Sequence, residues 1–156
     1  MADPDLQRSI DNLVTSLAHV HKMTHSGVVL TGAAILDLQL ERSLKKAMKP
    51  LPKKLYARLF EGFGPLSSFA SKIIMARALG VITVDHYIEL EKIRDIRNTF
   101  AHASKILDFT SKEIGPKFLN LKKPMTSKTN PIEVFVDCVG VVVKFLDEYL
   151  AEQTSK

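Results

Sequence analysis

Apolar residues recur along this chain at spacings of three and four, the period of helices with one buried face. Leu6, Ile10, Leu13, Leu17 and Val20 form the first such stripe, preceded by Asp3 and Pro4. An aspartate there accepts an orphan backbone N–H, and proline is preorganised for a first helical position. A second helix is expected from near Ser26, turning Ile35, Leu36, Leu40, Leu44 and Met48 inward. Pro50 and Pro52 end it, because proline lacks the N–H and its ring clashes with the preceding turn. A short helix over 53–60 follows, closed by Gly62, Gly64 and Pro65. Over 66–79 the pattern puts Leu66, Phe69, Ile73, Ala76 and Leu79 on one face, with Gly80 suited to a left-handed C-terminal cap. Thr83 caps the next helix, Asp85 meets the positive end of its dipole, and Leu90, Ile93, Ile96 and Phe100 face the core up to an end near His102. Thr110 and Glu113 have the spacing of a capping box for a short helix that the chain leaves by Leu121. Asn130-Pro131 opens a last helix, about 131–152, with Ile132, Phe135, Val136, Val139, Val143, Leu146 and Leu150 inward. Val139 to Val143 is rich in β-branched residues, but the helical period continues on both sides and assigns it to that helix.

No hairpin, repeat or second domain interrupts this series, and 122–129 is its one linker-like stretch. The expected fold is a single all-α domain over 1–156, an irregular helical bundle. A chain of 156 residues buries roughly 70% of the surface its unfolded form exposes, enough for one core without staples. Its one cysteine, Cys138, excludes an internal disulfide and a multi-cysteine zinc site, and suits a reducing compartment. The first residues are acidic where a secretory signal needs cations, and no apolar run approaches the roughly 20 residues of a membrane span. The expectation is a cytoplasmic protein with no membrane contact.

The net charge of +5 favours acidic partners. Cations gather at Lys45, Lys46, Lys49, Lys53, Lys54 and Arg58 around the Pro50-Leu51-Pro52 break, and again at Lys117, Lys122, Lys123 and Lys128. Each cluster is either a solvated face or a patch for nucleic acid.

Candidate chemistry concentrates near the end of the Thr83–His102 helix. Arg94, Asn98 and His102 follow at spacings of four and share a face, with Glu91 one turn earlier. Arg97 and His102 stand roughly 140° apart on an ideal helix and converge only where the helix ends. Arg97 lies between Ile93 and Phe100 at the edge of the core, where a guanidinium needs a partner. Two readings follow. In the structural one, Arg94 and Arg97 pair with Glu89, Glu91 and Asp95 while His102 caps the helix. In the catalytic one, Arg97 holds a phosphate, Asn98 orients it, and His102 moves a proton in metal-independent RNA cleavage.

His21 and His25 have the spacing of two helix-borne metal ligands, with His19 nearby, but no acidic residue or cysteine completes the set, so no metal is expected. Cys138 reads as a buried, unreactive thiol. Gly62-x-Gly64 follows no strand and leads to no Gly-Lys-Ser/Thr, so it is a turn and not a phosphate loop.

Taken together, Gly64-Pro65-Leu66, Leu79-Gly80-Val81-Ile82, Tyr87, Arg97 with His102, Phe109-Thr110, Glu113-Ile114 and Gly115-Pro116 resemble the mannitol operon repressor family of small bacterial regulators, over about 59–121. The resemblance implies an all-α fold and repression of a sugar-alcohol uptake operon, and does not imply a known DNA-reading element. The chain itself has no short helix-turn-helix pair with a polar recognition helix. The expectation is therefore a homodimeric regulator that acts through a partner protein, without catalytic residues or cofactor. Its contacts are expected at Arg94, Arg97, His102, Lys45, Lys46, Lys49, Lys53 and Lys54, the lysines making nucleic acid a second candidate partner. The arginine-x4-histidine motif, with asparagine after the arginine, also resembles HEPN domains, all-α modules that include dimeric ribonucleases. That resemblance implies a HEPN-like bundle with Arg97, Asn98 and His102 as catalytic positions.

Overall fold

Thr24 opens the first helix of the computed structural model, which describes residues 24–125 and 127–154. Its hydroxyl accepts from Gly27 N at 3.1 Å, satisfying one of the orphan donors of a helix start. Helix α1 then runs His25–Ala47. It is followed by α2, Lys53–Phe60, α3, Phe69–Ala78, and α4, Val84–Ala101. The series closes with α5, Gly115–Leu119, and α6, Pro131–Thr154. No strand occurs among the described residues. The fold is all-α, as the periodicity predicts, and the expected first stripe from Leu6 to Val20 lies outside the described residues.

Helix α1 is the central element. It packs against α6, α4 and α3, while α4 also meets α3, α5 and α6. The core between them is built from Val29, Leu36, Leu40 and Leu44 of α1, Ile73 and Ala76 of α3, Leu90, Ile93 and Ile96 of α4, and Phe135, Val139 and Leu146 of α6. Each such large side chain contributes about 1.5–3 kcal/mol by leaving water. Gly32 is what lets α1 and α6 approach: a Cβ there would lie 3.2 Å from Val139 Cγ2 and 3.3 Å from Phe135 Cε1. At the far end of α3, Gly80 takes φ 70°, the left-handed cap its sequence position suggests. The connection from α4 to α5 is pinned by Phe109, whose ring lies 4.7 Å from that of Phe118 and 5.5 Å from that of Phe135. Its backbone N–H donates to His25 Nδ1 at 3.0 Å.

Three local expectations are corrected. Helix α3 begins at Phe69, with Ser68 as its N-cap, so Leu66 is buried from the preceding turn and not from the helix. Leu79 is 48% exposed, because it is the C-cap and has left the helical register. Thr110 and Glu113 form no capping box: α5 starts at Gly115 without a side-chain cap. Asp108 competes successfully for Thr110, accepting from its N–H at 2.8 Å and its hydroxyl at 2.6 Å, and Glu113 pairs with Lys105 at 2.6 Å.

One buried polar contact crosses the α1–α6 interface. Gln39, 2% exposed, donates from Nε2 to Asp147 Oδ1 at 2.9 Å, and Gln39 Oε1 has no partner among the described residues. Burial holds the Asp147 carboxyl above the usual carboxylate range, against the opposing pull of Gln39 and Arg42. The folded state therefore binds this proton more tightly than the unfolded chain, and stability falls as pH rises through the ordinary carboxylate value toward the raised one. We expect Asp147→Asn to remove that slope and, by offering an N–H to Gln39 Oε1, to stabilise the fold by about 1 kcal/mol at neutral pH in urea unfolding. Gly32→Val should act oppositely, costing about 1–3 kcal/mol in the same assay as it forces α1 from α6.

Candidate functional site

Thr83 starts α4 by accepting from His86 N at 3.2 Å. With Leu90, Ile93, Ile96 and Phe100 buried, the period of the helix turns Glu91, Arg94 and Asn98 away from the core. Arg94 is held in a two-pronged pair, Nε to Glu91 Oε1 at 3.2 Å and Nη2 to Glu91 Oε2 at 2.7 Å. The hydrogen bond with Glu91 raises the arginine's pKa further still. Arg97 is different. Its Nη1 donates to Asn98 Oδ1 at 2.9 Å, and no carboxylate of the described residues reaches it as an ion pair.

Arg94, Arg97 and Asn98 line a cleft of about 540 Å³. Leu30, Ala33, Ala34 and Asp37 of α1 form a second wall, and Ser67 to Ala70 at the start of α3 form a third. His102 does not line this cleft. It is the exposed C-cap of α4, its backbone N–H donating to Asn98 O at 3.0 Å. The fold thus brings three of the predicted residues to one surface and leaves the fourth at the helix end. General acid–base transfer needs a heavy-atom approach of about 2.6–3.2 Å to the proton moved. Recognition of an anion needs only the guanidinium and amide.

The basic residues divide into committed and uncommitted ones. Lys45 pairs with Glu41 at 2.6 Å and sits over the rings of Phe60 and Tyr56, 5.0 and 5.7 Å from their centres. Lys46, Lys49, Lys53 and Lys54 are exposed and make no ion pair among the described residues. In the later cluster, Lys117 pairs with Asp95 at 2.7 Å, Lys128 with Asp137 at 2.8 Å, and Lys122 with Asp85 at 3.6 Å.

Two features escape a sequence reading. Lys72, its side chain 4% exposed, bridges Asp37 Oδ2 and Glu41 Oε2 at 3.0 Å each, tying α3 to α1. Burial pushes the Glu41 carboxyl up, but hydrogen bonds from Lys45 and Lys72 outweigh it and hold it below its ordinary value. The signal available was the pair of carboxylates at i and i+4 beside the α1 core stripe. The second feature is a cavity of about 660 Å³ between the start of α4 and the middle of α6, with Thr83, His86, Cys138 and Val141 in its lining. There His86 stacks on Phe145 with ring centres 3.9 Å apart and shares a 2.8 Å hydrogen bond with Thr83 Oγ1. Burial pushes the Cys138 thiol up to about 11, which leaves it protonated and inert at neutral pH. Of the proposed histidine cluster, His25 accepts from Phe109 N, and His19 and His21 lie outside the described residues.

No family model matches this chain, and no curated protein matches it in sequence. A solved structure does share its architecture: the MtlR–HPr complex from Escherichia coli, with a TM-score of 0.61, 18% identity, and coverage of 91% of this chain and 98% of the matched one. At that identity the likeness is one of fold, and the fold is that of MtlR.

Burial lowers the pKa of His86 below its ordinary 6.5, with Asp85 opposing and Lys122 adding to the shift. The unfolded chain therefore takes up this proton more readily, and stability is lost as pH falls from 6.5 toward the depressed value. In urea unfolding across that range, His86→Gln should show a flatter pH dependence than wild type.

Proposed function

We propose that this chain is a mannitol-operon-repressor-like regulator that acts by binding a partner protein, as a cytoplasmic homodimer without catalytic turnover. The observation that carries the reading is the separation of Arg97 from His102. The guanidinium is engaged with Asn98 at a cleft, whereas the imidazole ends α4 in solvent. A nuclease of this motif needs both groups at one phosphate, but a docking protein needs only the first. The fold shared with MtlR, a protein solved in complex with HPr, supports regulation through protein contact. The exposed Lys46, Lys49, Lys53 and Lys54 support an acidic partner surface, which nucleic acid also offers.

The competing assignment is a metal-independent ribonuclease with Arg97, Asn98 and His102 in its active site. Structured RNA incubated with the chain in chelator should remain intact. RNA cleavage that disappears in His102→Ala overturns the regulator.

A further inference from the structure

The cavity between the start of α4 and the middle of α6 shares no lining residue with the Arg97 cleft, and its volume of about 660 Å³ lies in the range of small-molecule sites. Its walls are largely apolar. Cys138 and Val142 of α6 are buried, Pro124 comes from the α5–α6 connection, and Val84 of α4 and Val141 of α6 line it while remaining 52% and 47% exposed. Apolar side chains left in water at a concave surface are stabilised by whatever covers them.

The charges of the lining cancel. Asp85 and Glu89 stand against Lys122 and Lys123, two anions and two cations, all four in the lining. Glu89 is engaged through both oxygens, by Lys92 Nζ at 2.6 Å and by Lys122 N at 2.9 Å, and Asp85 has Lys122 Nζ at 3.6 Å. Lys123 sets its amine over the Phe118 ring, 4.9 Å from the centre. Cys138 keeps its thiol proton and burial keeps His86 deprotonated at neutral pH, so neither adds charge. A charged ligand meets its like charge here as readily as its opposite, and a neutral ligand meets no such penalty.

A free donor completes the site. Thr83 Oγ1 already accepts from His86 N at 3.2 Å, so its own hydrogen is left for His86 Nδ1, 2.8 Å away, and the ring hydrogen falls on Nε2. The ring itself is fixed by stacking on Phe145. Its Nε2–H has no partner among the described residues.

We infer that this cavity binds a neutral, largely apolar small molecule whose hydrogen-bond acceptor, a ketone, ester or ether oxygen, takes the Nε2 hydrogen of His86 while its carbon skeleton covers Val84 and Val141. The inference goes beyond the regulator reading and does not rest on it.

Fluorinated fragments built on shared apolar skeletons in neutral, anionic and cationic forms, screened against the full chain by fluorine NMR, test it. The hits should be neutral and carry an acceptor, and they should shift the methyl resonances of Val84, Val141 and Val142. Their affinity should fall at least about tenfold in Val141→Trp, which fills the cavity, and about three- to tenfold in His86→Phe, which keeps a ring on Phe145 but removes the donor. Fragments of the same skeletons without the acceptor should bind His86→Phe as they bind wild type. Leu38→Gln, at an exposed apolar position outside the cavity, should change nothing. Unchanged thermal melts confirm that the variants fold, and Val141, being exposed, keeps the test decisive where His86→Phe does not fold. An absence of hits, hits drawn equally from the charged forms, or affinities indifferent to Val141→Trp or to His86→Phe overturn the inference. So do shifts of the same methyls by a millimolar sugar alcohol, whose several hydroxyls mark a polar site. None of these outcomes touches the regulator reading, which RNA cleavage dependent on His102 removes.

Discussion

The contact of Gly32 with Phe135 and Val139 sets how near α1 and α6 can lie, and the remaining packing is arranged around that approach. Because α1 is drawn so close on one side, its other faces are free for α3 and α4. Leu36, Leu40 and Leu44 are all completely buried. A helix enclosed in this way loses exposed surface on most of its circumference, which explains why polar residues such as Gln39 and Ser43 are buried along with its leucines. Gln39 meets Asp147 across the closest interface, and Asp37 meets Lys72 across the next. Each of these polar contacts fixes the register of one helix against another, where apolar packing alone tolerates sliding.

The same arrangement creates the cleft. Helix α3 is tethered to α1 through Lys72, and α4 packs against both. The cleft lies where the three meet. Arg97 stands at its margin because Ile93 and Phe100, on either side in sequence, are held in the core. The guanidinium is thereby kept near apolar walls, where an ionic partner is worth more than it is in open water.

The helices were legible because their signals are local. Thr83 and Asn130 cap the helices they precede, the proline break separates α1 from α2, and the stripe from Ile132 to Leu146 follows its period through a β-branched run. Local competition was harder to read. Thr110 had two acceptors to choose from, and the turn formed by Asp108 won over the capping box. At the candidate site, the place of Arg97 between apolar residues implied a partner, and among the described residues that partner is the Asn98 amide and not one of the helix carboxylates. The opposite walls of its cleft, contributed by α1 and by the start of α3, depend on long-range packing that no short pattern encodes. Lys72 shows the same limit, since its two carboxylate partners precede it by 35 and 31 positions.

The unequal fate of the two basic clusters has an effect at a distance. Lys117, Lys122 and Lys128 are each matched by a nearby aspartate, whereas Lys46, Lys49, Lys53 and Lys54 at the α1–α2 junction make no ion pair among the described residues. Among the described residues, these four unpaired lysines gather positive charge at that junction. An anionic body drifting within the Debye length, about 8 Å at physiological salt, feels a torque before it touches anything. Such a cluster speeds the approach of an anionic partner even where the final grip lies elsewhere on the surface.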